Sequence, residues 1–144
     1  MDPALKAGIE TSARTLNLEG VDPSFYERLE HYMARVQRDG ERVVGRKLSA
    51  QEHRVVEGYI AYHALHVAKV DGKPRAQADD VKSAIWFFHT PVGVNDTCVE
   101  SVTRILEIDN HPTHRQLLSE GFRSFMEERR ERKYPEWGGG MTTR

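Results

Sequence analysis

VDGKPRAQADDVKSAIWFF, residues 70–88, ends one helical pattern and begins another. Asp71-Gly72 supplies the stop, and Pro74, which has no N–H to donate and clashes with the preceding turn, forbids continuation. Apolar spacing resumes behind Asp79 and Asp80, whose carboxylates complement the positive end of a helix dipole, and it carries Val81, Ile85 and Phe88. The few residues between leave room for one short extended piece. The stretch therefore reads as a helical hairpin, and the fold turns on whether its surroundings continue in the same period.

They do. Upstream, Ser49-Ala-Gln-Glu52 is a capping box, in which the serine hydroxyl and the glutamate carboxylate each accept a backbone N–H from the other's position. It predicts a helix from there to Val70 that buries Val56, Ile60, His63 and Val67. Before it lies the basic loop GERVVGRK, residues 40–47. Before that, Asp22 caps a helix with Pro23 at its first position, and Phe25, Leu29, Tyr32, Met33 and Val36 follow at helical spacing. Gly40 is its expected stop. Residues 3–17 form a weaker first helix with Leu5, Ile9 and Leu16 on one side.

Downstream, HTPVGVND is a loop, and Asp96 caps a fifth helix carrying Val99, Val102, Ile105 and Leu106. Thr113 with Gln116 is a second capping box, ahead of a last helix with Leu117, Leu118, Phe122, Phe125 and Met126. Past Lys133 the glycine-rich YPEWGGGMTTR is expected to be a flexible tail. Nowhere does apolar alternation last long enough for a half-buried strand. The expected fold is all-α, a compact bundle of five or six helices forming one domain over 1–133, with its centre at 22–90 and a tail at 134–144.

Composition agrees with one such domain: 144 residues, 38% hydrophobic and 30% charged. Lysine and arginine total 21 against 22 acids, so no global charge draws the chain to nucleic acid or an anionic membrane. A single cysteine, Cys98, excludes an internal disulfide and suits a reducing compartment. No apolar run reaches the length of a signal peptide core or a membrane span. The expected location is the cytoplasm, with no membrane partner.

The segment RVVEGYI at 54–60, ALH at 64–66 and DDVKSAI at 79–85, preceded by FYERLEHYMARVQRDG, resembles the C-terminal helical lid of AAA-type ATPases, most closely that of minichromosome maintenance helicases. The resemblance implies a place in a DNA-handling assembly, and it puts Arg54 where the helicase lid carries a sensor arginine that reaches a nucleotide phosphate at a subunit interface. The chain departs from the family in having no G-x-x-x-x-G-K-[ST] phosphate loop, so the resemblance does not extend to an ATPase core. AKVDGKPRAQADDVKSAI, 68–85, is also similar to the end of the central helix, second loop and last helix of archaeal histones. A histone central helix is about two turns longer than Ser49–Val70.

Three sets of residues invite chemistry. Arg42, Arg46 and Lys47 precede the third helix and Lys73 and Arg75 follow it; were the two loops adjacent, five cations would bind phosphates in a salt-sensitive way. The usual reading of such residues is a solvated loop. His63 and His66, and His111 and His114, have His-x-x-His spacing, which on a helix shares one face and suits a metal. Histidines satisfied by the fold explain the same spacing more simply. Trp86, Phe87 and Phe88 cannot all face one core, since successive helical residues diverge by about 100°, so one is left to meet another helix or a partner. Cys98 has no base assigned to it by the sequence, and Asp79 and Asp80, being adjacent, do not face each other. No catalytic residue and no cofactor follows from these patterns. The expected function is a non-enzymatic adaptor that binds another protein through Arg54 and Trp86. A DNA-binding protein and a metal-dependent enzyme are the alternatives, and self-association is left open.

Overall fold

A computed structural model describes the backbone of residues 1–88 and 97–110, and the side chains of those residues except 97–100. Within them run five helices: α1 Pro3–Thr15, α2 Pro23–Val44, α3 Ala50–Val70, α4 Ala78–Phe88 and α5 Thr97–Asp109. The expected last helix behind Thr113 and Gln116, the loop 89–96 with Asp96, and the tail lie outside the described residues, as do the side chains of Cys98 and Val99.

Local chemistry sets the boundaries. The Asp22 carboxylate accepts the Ser24 N–H at 3.0 Å, with Pro23 at the first helical position, so α2 starts as its sequence predicts. Both halves of the Ser49–Glu52 box form, at 3.1 and 2.9 Å. The stop of α2 differs from expectation. Gly40 lies within the helix, which runs on to Val44 and closes at Gly45, whose φ of +81° is left-handed. Gly40 serves packing instead: a Cβ there would come within 3.2 Å of the Leu48 side chain, so the glycine lets the following segment fold down on the helix.

The short extended piece for which the 70–88 stretch leaves room is present at Arg75–Ala76, and the second difference is that it has a partner, forming a miniature sheet. Gly20–Val21 (β1) and Arg75–Ala76 (β2) pair in parallel, Gly20 opposite Arg75 and Val21 opposite Ala76. The Glu19 N–H donates to Pro74 O at 2.7 Å and the Asp22 N–H to Ala76 O at 2.8 Å, extending the bridge at each end. Two residues carry no alternation to read, which is why periodicity misses them. The bridge sets the starts of α2 and α4 side by side, and the Ala78 N–H reaches the Ser24 hydroxyl at 3.2 Å.

In chain order α3 lies between these two helices and returns from the end of α2 to the bridge. The core is Phe25, Leu29, Tyr32 and Val36 of α2 with Val56 and Ile60 of α3, Val81, Ile85 and Phe88 of α4, and Val102 and Ile105 of α5, all buried. Two polar ties hold α5: the buried hydroxyls of Tyr32 and Ser101 hydrogen-bond, and the Tyr59 hydroxyl donates to Asp109 at 3.0 Å. No helix among the described residues is long and apolar enough to cross a membrane.

Candidate functional site

α3 is buried on most sides, yet one stripe of it is open. Arg54, Gly58, Tyr62 and His66 recur every four residues and so share a face. Arg54 is exposed, its guanidinium donating to Gln51 at 3.3 Å. A Cβ at Gly58 would meet nothing within 4 Å, so the backbone is bare between Arg54 and Tyr62. Tyr62 is 53% exposed.

On α4, the three consecutive aromatics divide as helical geometry requires. Phe88 is fully buried, Phe87 half-buried and Trp86 60% exposed. Among the described residues, the large hydrophobic side chains left exposed are Met1, Tyr62 and Trp86.

His63 joins the two helices beneath them. Its ring stacks on Phe87 at 6.0 Å and meets Phe88 edge-on at 5.0 Å, while Tyr62 lies edge-on to it at 5.7 Å. Its Nδ1 is 2.8 Å from the Tyr59 carbonyl, so Nδ1 carries the hydrogen and donates. Burial pushes the imidazole down to about 4, which keeps it neutral at ordinary pH. Tyr62 thus touches this aromatic stack directly, and Trp86 is the chain neighbour of Phe87, on which His63 stacks.

His66 also turns its Nδ1 to a carbonyl one turn back, that of Tyr62, at 3.1 Å. The expected i, i+3 histidine pair therefore faces backbone at both Nδ1 atoms. Among the described residues, no three His, Cys, Asp or Glu side chains could hold a metal ion together. His111 and His114 lie outside them.

The basic loops do not meet. Arg42, Arg46 and Lys47 stand near the start of α3 and Lys73 and Arg75 beyond its end, separated by a 21-residue helix about 30 Å long. Most of these cations already have local work. Arg46 forms a two-pronged pair with Glu52 at 2.9 and 2.6 Å, which with the Ser49 N–H pulls that carboxyl down to about 2. Arg42 lies 3.9 Å from Asp39. Arg75 donates to Val21 O at 3.1 Å across the bridge, its guanidinium lying over Gly20.

Lys73 reaches the fully buried Asp80 at 3.0 Å and exposed Asp79 at 3.3 Å. Burial works hardest against the ammonium, but the hydrogen bonds and negative charges of Asp80 and Asp79 together outweigh it and raise the Lys73 pKa. Asp80 also accepts the Gln77 N–H at 2.7 Å, so the acid that the sequence assigns to the helix dipole is in addition a buried cap.

Sequence reasoning singles out Arg54 and Trp86 but passes over Tyr62 and Gly58. The signal for both is the complement of the buried pattern: once Val56, Ile60, His63 and Val67 define the inner face of α3, residues 54, 58 and 62 fall on the outer one. Comparison with protein-family models, curated proteins and solved structures returns no match.

Proposed function

We propose that this protein is a non-enzymatic helical adaptor, working in the cytoplasm, that binds another protein through the outer face of α3 and α4. The observation that carries the reading is the pair of exposed aromatics, Tyr62 at 53% on α3 and Trp86 at 60% on α4, beside the His63, Phe87 and Phe88 rings that join the two helices. Tyrosine, tryptophan and arginine are the residue types that most often dominate interface energies, the two aromatics because they cover large areas with few rotatable bonds and arginine because its planar fork of donors is pre-organised. Arg54 stands on the same stripe, and bare Gly58 permits close approach of a partner's backbone. A place within a DNA-handling assembly is supported by the lid resemblance of residues 22–90.

The separation of the basic loops supports an adaptor over a direct DNA binder, since two clusters at opposite ends of α3 form no continuous phosphate-binding patch. Native mass spectrometry tests the choice, on the protein alone, with zinc, and with a short duplex at low salt. The adaptor reading expects no retained metal and no duplex complex. A duplex complex abolished by Lys73→Glu with Arg75→Glu would replace it with the DNA binder, and metal retained by the protein but lost on His63→Ala would replace it with a metalloenzyme.

A further inference from the structure

The charge around the two aromatics names the chemistry of the partner, an inference that rests on the docking reading above. Arg54 and Lys69 stand exposed toward the two ends of the open stripe of α3, with His66 between them. Lys82, also exposed, lies one turn before Trp86 on α4. None of Arg54, Lys69 and Lys82 makes an ion pair among the described residues. The nearby acids are otherwise engaged: Glu52 holds Arg46, Asp79 is joined to Lys73, and Asp109 accepts the Tyr59 hydroxyl. Glu57, one turn after Arg54, is half-buried and within reach of the charge of the Met1 amine.

We propose that this face docks an acidic segment of another protein, one that sets large apolar side chains against Tyr62 and Trp86 and carboxylates against Arg54, Lys69 and Lys82. The arrangement suits such a segment better than the other occupants. A nucleic-acid strand presents one charge per about 3.4 Å, whereas Arg54 and Lys69 lie about 22 Å apart along the helix, too sparse a row for phosphates. A second copy would bring like charges together across a two-fold axis, since the same patch would face itself.

The test is a selection of displayed random peptides, unbiased in composition, against the full-length chain, with each clone re-measured on four variants. Expected are clones rich in Asp and Glu around apolar anchors, weakened at least about tenfold by Tyr62→Ser or Trp86→Ala. Lys69→Glu and Lys82→Glu should each weaken them about threefold or more, with the larger effect at low salt. Neutral or basic clones that still need Tyr62 and Trp86 would overturn the acidic partner while leaving the docking face standing. Clones indifferent to both aromatics, or no clones at all, would overturn both readings. Displacement of acidic clones by single-stranded oligonucleotide, or a dimer lost on Trp86→Ala, would overturn the proposal in favour of nucleic acid or self-association. All four positions are exposed, and circular dichroism of each variant should show unchanged helical content.

Discussion

At the scale of single residues, the two most consequential groups are His63 and Asp80, both polar and both buried. His63 is held near 4 against an ordinary 6.5, so the unfolded chain binds its proton first. Its stability contribution is therefore complete above about pH 6.5 and declines as pH falls toward 4, by at most roughly 3 kcal/mol. His63→Leu should flatten that part of the profile, as read from urea unfolding midpoints of both proteins between pH 7 and 4; parallel profiles would contradict the buried, neutral imidazole. Asp80→Ala removes the cap at Gln77 and leaves the partly buried Lys73 with Asp79 alone, a loss of about 2–4 kcal/mol on the same assay. The sequence makes the placement of both legible and their surroundings only in part. His63 falls on the inner face by spacing, but its stacking on Phe87 depends on how α3 meets α4, which no local pattern encodes.

At the scale of elements, glycines separate backbone need from packing need. Gly45 closes α2 with a left-handed φ of +81°, so Gly45→Ala should cost about 1 kcal/mol although a Cβ would meet nothing there. Gly58 sits inside α3 with helical backbone and open space, so Gly58→Ala should add up to about 1 kcal/mol. Thermal unfolding of the pair should move in opposite directions, and movement in the same direction would contradict the assigned geometry. Gly40→Val should destabilise by about 1–3 kcal/mol, since its branches would press on Leu48. The capping motifs at Asp22 and Ser49 are readable because their partners lie within three residues. The stop of α2 is not, because Gly40 and Gly45 are equivalent as breakers until Leu48 folds over the first.

At the scale of the whole molecule, the helical class follows from period alone, while arrangement follows from contacts between distant residues. The β1–β2 bridge joins residues 20–21 to 75–76 and aligns α2 with α4, yet leaves no trace in hydrophobic spacing. For the same reason the two basic loops can be found in the sequence but not placed; the length of α3 sets them apart. The docking face is legible by subtraction, as what remains of α3 and α4 after the core has claimed its share. Its function is most directly tested by placing a photoreactive phenylalanine at position 62, 86 or 47 and irradiating the full chain in cell extract. Lys47 is an exposed control beyond the opposite end of α3. A protein-docking face should give one discrete protein adduct shared by positions 62 and 86 and absent from 47, whereas nucleic-acid adducts, or labelling indifferent to position, would contradict it.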